Sequence, residues 1–274
     1  MLPKGKDFSC KPMIEVKHLV KRFGEFIAVD DISFTVAPGE LFALLGPNGA
    51  GKSTTIKMMT TLLKPSSGTI ILNGHNVVRN PDQARKSFGI VFQDPSLDND
   101  LTAYENMELH AVMYNLSRRQ VKPRIEELMT LVGLWEWRDR LVKTFSGGMK
   151  RRLEIARGLI HHPKVLFLDE PTVGLDAQTR HLLWNYVGQL AKEKDMTIVF
   201  TTHYLEEAEN NARRIAIVDH GKLLTIGSTA ELKRKTKTKS LEQAYLALTG
   251  KDMRDEAVNP NEAWRERQRA RNMR

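Results

Sequence analysis

Cysteine is almost absent from this 274-residue sequence: Cys10 is the single instance, so no disulfide can form within the chain and a reducing compartment is expected. Long apolar runs are missing as well. No stretch approaches the roughly 20 residues that a membrane-spanning helix needs, so any membrane role is expected to be played through a partner. The opening Met1-Leu2-Pro3-Lys4-Gly5-Lys6-Asp7 lacks the apolar core of a secretory signal, and a cytoplasmic location is expected. There is no internal repeat at a solenoid or propeller period. Acidic excess is missing too: the net charge of +9 favours acidic partners such as nucleotides, anionic lipid or nucleic acid, without choosing among them. With 41% hydrophobic residues the chain can fill the core of one large α/β domain or two small ones.

Gly46-Pro47-Asn48-Gly49-Ala50-Gly51-Lys52-Ser53 fits the phosphate-loop pattern G-x-x-x-x-G-K-S. It lies between the apolar run Leu41–Leu45 and a helix-like stretch from Thr54 to Thr60. That context matters, because a buried strand then delivers a glycine-rich turn to a helix N-terminus, where backbone N–H groups and the helix dipole face an anion. The pattern assigns Lys52 to the β/γ-phosphates and Ser53 to Mg²⁺.

Alternating or apolar strands are expected around Met13–Val16, Ile32–Val36, Thr69–Leu72, Gly89–Phe92, Val165–Leu168, Thr197–Phe200 and Ile215–Val218, with a turn at Phe23-Gly24. From about Thr102 to Leu134 the apolar spacing becomes helical, as it does near Thr179–Leu190 and Tyr204–Asn210. Strands alternating with helices imply a mainly parallel sheet covered on both faces. Two short helices are expected beyond Gly227. The arginine-rich stretch from Trp264 to Arg274 has too few apolar residues to pack.

The run Val165–Leu168 ends in Asp169-Glu170. In a doubly wound sheet such an end lies beside the phosphate loop. Asp169 offers a hard oxygen to Mg²⁺, and Glu170 can orient or deprotonate an attacking water. Further along, Phe145-Ser146-Gly147-Gly148-Met149 precedes a helical run through Leu153, Ile155, Ala156 and Leu159; Ser146 can cap it, and the glycines let backbone approach a phosphate.

Ser-Gly-Gly before a basic helix, set between a phosphate loop and an acidic strand, resembles the ATPase subunit of ABC transporters. Other segments follow in that family's order: Gln93 resembles its Q-loop glutamine, Gly174-Leu175-Asp176 its D-loop, Thr201-Thr202-His203 its switch histidine, and Phe23 its adenine-stacking aromatic. Phe145 and Met149 stand where leucine and glutamine are commoner, and Phe23 where tyrosine is, which leaves stacking without the phenol. The resemblance spans roughly Ile14 to Gly227. It implies a P-loop ABC ATPase fold: a mainly parallel core sheet, an antiparallel β subdomain and an inserted helical subdomain at about 98–162. The implied organisation is a polar extension over 1–12, an ATPase domain over 13–227, short helices over 228–250 and a charged tail over 251–274.

The resemblance also implies function. ATP and Mg²⁺ would be the cofactors, with Gly46 to Thr54 around the phosphates, and Ser53, Gln93 and Asp169 near the metal. Glu170, His203, Gln93 and Lys52 would carry hydrolysis. Two such subunits, expected as a homodimer closed by ATP, would meet head to tail, so that Ser146, Gly147, Gly148 and Asp176 complete the partner's site. A separate membrane-spanning chain would receive the work, placing the protein peripherally on the inner membrane face. Gln93–Asp98 and Leu241–Gly250 resemble bacterial exporters of drugs, glycolipids and Nod-type oligosaccharides, favouring export. The rival is a soluble ABC protein acting on ribosomes or DNA, but the second cassette or long coiled-coil insertion usual there is missing, so nucleic acid is not an expected partner.

Three weaker signals have plain alternatives. One ring of Trp135-Glu136-Trp137 is expected to pack inside the helical insertion rather than anchor a partner. The basic run Lys233–Lys239 is expected to be a solvated segment. His161-His162 has no metal spacing, since adjacent helical residues point apart.

Overall fold

The computed structural model describes residues 11–250 except Lys194. Cys10 and the charged tail expected over 251–274 lie outside them. The first half runs β1 (Ile14–Phe23), β2 (Phe26–Val36), β3 (Leu41–Leu45), α1 (Lys52–Met59), β4 (Ser67–Leu72), β5 (His75–Asn76), α2 (Pro81–Arg85) and β6 (Phe88–Val91). Three helices follow: α3 (Ala103–Met113), α4 (Arg118–Leu131) and α5 (Gly147–Gly158). The chain continues through β7 (Val165–Asp169), α6 (Ala177–Glu193), β8 (Thr197–Thr202), α7 (Leu205–Asn211), β9 (Arg214–Asp219), β10 (Lys222–Gly227), α8 (Thr229–Thr236) and α9 (Leu241–Thr249).

Two sheets result. An antiparallel sheet has the order β2-β1-β4-β5, and a six-stranded sheet has the order β10-β9-β3-β8-β7-β6, parallel except for the β10–β9 pair. The larger sheet is buried on both faces, and the period-2 alternation of its strands sorts their side chains into two cores. Ala43, Leu45, Leu166, Leu168, Ile198 and Phe200 face the helical layer, together with Met107, Ile125, Leu153 and Leu183. Phe42, Leu44, Val165, Phe167 and Val199 face the opposite core, with Ile56 of α1 and Ile14, Val16 and Ile70 of the antiparallel sheet. The expected fold class is therefore the observed one.

Local chemistry explains the helix starts. Thr102 and Glu105 form a reciprocal capping box at α3, Ser228 and Glu231 another at α8, and Ser240 accepts from Gln243 N at α9. Trp135 packs partly buried against the helical core, whereas Trp137 is 46% exposed and meets Phe145 edge-on. Much of the basic run Lys233–Lys239 forms the end of α8, where Lys233 pairs with Glu209 at 2.6 Å and Lys235 donates to Thr225 at 2.9 Å. Its charge therefore complements a helix C-terminus. His161 contacts the Phe88 carbonyl through Nε2 and stacks on Tyr114 at 3.7 Å, a packing role.

Candidate nucleotide site

Strands β3, β7 and β8 are neighbours, with Asp169 opposite Thr201 and Leu45 opposite Thr202. Their ends thus carry the phosphate loop, the acidic pair and the Thr201-Thr202-His203 segment to one edge of the sheet. Gly51 turns the loop into α1 with φ +97°, and a Cβ there would stand 2.5 Å from the Ala28 carbonyl, so only glycine suits the position.

Lys52 is buried at 4% exposure; Nζ donates to the carbonyls of Gly46 at 2.8 Å and Pro47 at 3.1 Å, and lies 3.3 Å from Glu170 Oε1. Burial pushes its pKa below the ordinary lysine value, against the opposing charges of Glu170 and Asp169. Asp169 is pinned from two sides, accepting from Ser53 Oγ at 2.9 Å and Thr201 Oγ1 at 2.6 Å on the same oxygen. Its pKa is raised, because burial outweighs those two hydrogen bonds. Glu170 behaves in the opposite way. Burial raises its carboxyl, but the hydrogen bond from His203 and the charge of Lys52 prevail and hold it below the ordinary value. His203 Nδ1 stands 3.3 Å from the same Oε1 that faces Lys52.

Glu170 has φ +47°, a left-handed conformation uncommon for a residue with a Cβ. Its N–H donates to Thr201 Oγ1 at 2.9 Å, so one hydroxyl accepts from Glu170 and donates to Asp169. Sequence reasoning gave Thr201 no role of its own, because its place opposite Asp169 shows only once β7 and β8 are paired. Buried Glu207 was missed too. It accepts from Thr202 at 2.7 Å and from Thr172, tying together the segments that leave β8 and β7.

Five expected residues, Lys52, Ser53, Asp169, Glu170 and His203, thus converge. Gln93 lies exposed two residues beyond β6. Phe23 ends β1 with its ring 50% exposed and Lys21 Nζ 5.0 Å from its centroid. In the phosphate loop, Asn48 and Gly49 are exposed and Ala50 is buried.

Ser146, Gly147 and Asp176 are exposed, and their contacts run to their own helices. Ser146 Oγ accepts from Met149 N at 3.3 Å and caps α5. Asp176 accepts from Thr179 N at 2.9 Å and Thr179 Oγ1 at 2.7 Å ahead of α6, and the amide bond holds its carboxyl below the ordinary value. At Gly148 a Cβ would lie 2.3 Å from Thr179 Cγ2. The smallness of Gly148 serves packing of α5 against α6, while Gly147 remains open with its nearest neighbour, Leu175, at 3.8 Å.

Ser53 and Asp169 present hard oxygens 2.9 Å apart, a pairing that suits Mg²⁺, which is held by one or two protein ligands with phosphate and water filling the rest. Among the described residues no group of three or more His, Cys, Asp or Glu forms a dedicated metal cage.

The chain is similar in sequence and in shape to known proteins. Residues 29–173 match the ABC transporter family. Over 220 residues the chain is 44% identical to the daunorubicin/doxorubicin resistance ATP-binding protein DrrA of Streptomyces peucetius, a match covering 80% of this chain and 66% of that one. It is 40% identical over 230 residues to the Nod factor export ATP-binding protein I of Ralstonia nicotianae, covering 84% and 71%. The chain thus spans about two thirds of the length of these curated relatives. A solved ATP-binding subunit of an ABC transporter superposes with TM-score 0.79 at 32% identity, over 86% of this chain and 99% of that one. A dimeric ATP-binding cassette in a post-hydrolysis state with ADP and Pi superposes at 0.71 and 28% identity, over 79% and 98%. With loop, carboxylates and histidine at one sheet edge and these likenesses in sequence and shape, the chain belongs to the ABC transporter family, as an ATP-binding cassette.

Proposed function

We propose that this chain is the ATP-hydrolysing subunit that powers an exporter whose membrane-spanning part is a separate chain. The observation carrying the reading is the meeting of Lys52, Glu170 and His203 on one carboxylate oxygen, beside the Ser53–Asp169 pair. In this reading the backbone from Gly46 to Thr54 and Lys52 bind the phosphates, and Phe23 stacks on adenine. Ser53 and Asp169, with Gln93, hold Mg²⁺, which supplies charge neutralisation at the phosphates when bound.

Glu170 accepts a proton from the attacking water as the water oxygen bonds to the γ-phosphorus; the bond to the β–γ bridging oxygen breaks, leaving ADP and phosphate. His203 steadies Glu170 and faces the γ-phosphate. The exposed Ser146–Gly147 backbone and Asp176 complete the site of a second copy, so that ATP closes the dimer and hydrolysis releases it.

Export as the direction of transport is supported by relatives named for drug resistance and Nod factor export. None of the described helices is long and apolar enough to cross a membrane; in this reading the membrane-spanning partner gives the chain a peripheral place on the cytoplasmic membrane face. The cassette proper occupies 13–227, its helical subdomain about 98–162, and α8 and α9 fall within the C-terminal extension 228–250.

Mixing two inactive variants tests the composite site. Lys52→Ala and Ser146→Arg copies combine to give one intact and one doubly defective site per mixed dimer, and partial recovery of ATPase activity is expected. Provided one intact site can turn over alone, no recovery at any ratio, with mixed dimers verified by crosslinking, would overturn the head-to-tail arrangement.

A further inference from the structure

Arg151 lies one turn into α5 and is buried at 6% exposure. Its five N–H donors are spent almost wholly on backbone. Nε reaches the Pro171 carbonyl at 2.7 Å, Nη2 reaches those of Glu170 at 3.0 Å and Asp169 at 3.3 Å, and Nη1 reaches the Phe92 carbonyl and Glu154 Oε2. Glu154 is itself buried and accepts from Ser96 N at 2.7 Å, while Arg157 donates to the Ser96 carbonyl, also at 2.7 Å. The loop carrying Gln93 is thereby held at both ends, Phe92 and Ser96, by side chains of α5.

A requirement for helix packing alone does not account for this. An apolar residue of similar volume would dock α5 on β6 and β7 without the desolvation cost of a buried charge. The carbonyls chosen are those of Asp169, Glu170 and Pro171, around a residue whose φ of +47° needs outside support. Thr201 secures the N–H of Glu170, and Arg151 secures its carbonyl. Both peptide groups of the left-handed residue are thus clamped, and its carboxylate is aimed at Lys52 and His203.

We propose that Arg151 is a positioning residue for hydrolysis, one that fixes Glu170 and sets it in register with the Gln93 loop. The inference rests on Glu170 acting as the base. Lysine at this position keeps the charge but cannot reach three or four carbonyls in a plane.

The test measures ATP affinity, the number of ATP-binding sites and kcat per site for Arg151→Lys, with Glu170→Gln in parallel. Expected for Arg151→Lys are near-unchanged ATP affinity and kcat per site lower by up to about 10²-fold as the base shifts out of line. Partial unfolding would lower the number of binding sites without lowering kcat per site. A wild-type kcat per site in Arg151→Lys, beside an inactive Glu170→Gln, overturns the positioning role alone; an active Glu170→Gln overturns the base assignment beneath it. If Arg151→Lys does not fold, Glu154→Gln decides. That change removes the carboxylate orienting the guanidinium; a lower kcat per site at unchanged ATP affinity supports the proposal, and a wild-type kcat per site overturns it.

Discussion

Lys52 Nζ stands 3.3 Å from Glu170 Oε1, both side chains almost fully buried, so the phosphate-loop cation and the proposed base are electrostatically one unit. Changing either should nonetheless give different losses. Glu170→Gln keeps size and hydrogen bonding but cannot accept a water proton; ATP binding should persist while turnover falls by about 10²–10⁴-fold. Equilibrium binding and steady-state hydrolysis check this, and near-wild-type turnover would remove Glu170 from the role of base.

Lys52→Ala deletes a charged donor to phosphate, worth about 1.5–3 kcal/mol, so ATP affinity should drop roughly 10- to 150-fold. It also leaves the buried Glu170 carboxylate without its cation, so the variant should be less stable as well. Titration with a fluorescent ATP analogue alongside thermal unfolding separates the two effects. Unchanged affinity would count against the loop assignment.

Thr201→Val preserves shape but strips the hydroxyl shared by Glu170 and Asp169. A buried N–H left without an acceptor costs about 1–3 kcal/mol, so the midpoint of urea unfolding should fall. Glu170 should also lose its aim, lowering kcat more than ATP affinity. Thr201→Ser, which keeps the hydroxyl, should restore both, and a failure of serine to do so would point to the methyl group instead.

Some of this was readable from sequence and some was not, for physical reasons. A P-loop signals itself because phosphate binding demands particular residues at fixed offsets between a strand and a helix. Asp169-Glu170 was equally legible, since two carboxylates directly after four buried apolar residues require a reason. The unbroken apolar runs Leu41–Leu45 and Val165–Leu168, expected as buried strands, place their side chains alternately in two cores, as a doubly covered sheet requires. Arg151 was not legible. In Met149-Lys150-Arg151-Arg152 nothing local says which cation turns inward; that depends on carbonyls about 20 and 60 residues distant in sequence. Thr201 was hidden likewise, because a hydroxyl in a β-strand reads as strand propensity until the neighbouring strand is known. Gly147 and Gly148 look alike in sequence, and only the position of Thr179 distinguishes them.

His110 and His161 flank Tyr114, with ring centroids 5.2 and 3.7 Å from it. Burial lowers both histidines to about 4 from the ordinary 6.5. Both are neutral in the fold over a range where the unfolded chain would protonate them, so the unfolded state binds more protons. Stability is therefore fully present above about pH 6.5 and declines as pH falls towards 4. The slope is at most about 1.4 kcal/mol per pH unit for each ring, reduced by solvent screening because both are partly exposed. Urea midpoints at pH 7 and 5 should differ less in the His110→Gln, His161→Gln double variant than in the wild type. Equal pH dependence would assign the loss to other groups.

Gly148 offers a sharper division between packing and ligand contact. A methyl at this position would press against Thr179 Cγ2 at 2.3 Å, whereas Thr179 Cβ and Oγ1 are each 3.4 Å away. Gly148→Ala should therefore destabilise the α5–α6 contact by about 1–3 kcal/mol, the usual cost of overpacking. Thr179→Ser removes the offending methyl and keeps the hydroxyl that bonds Asp176. If packing alone demands glycine, the Gly148→Ala, Thr179→Ser pair should recover both stability and ATPase activity. If the backbone at Gly148 must also approach a phosphate across a dimer, stability should return while ATP-driven dimerisation and hydrolysis stay depressed, since any shift of α5 that seats the methyl displaces that backbone. Exposed Gly147 supplies the control. It has no close neighbour within the chain, so Gly147→Ala should leave unfolding almost unchanged and lower only the activities that need a dimer. A fully active Gly147→Ala variant would confine the role of this segment to capping and packing within one chain.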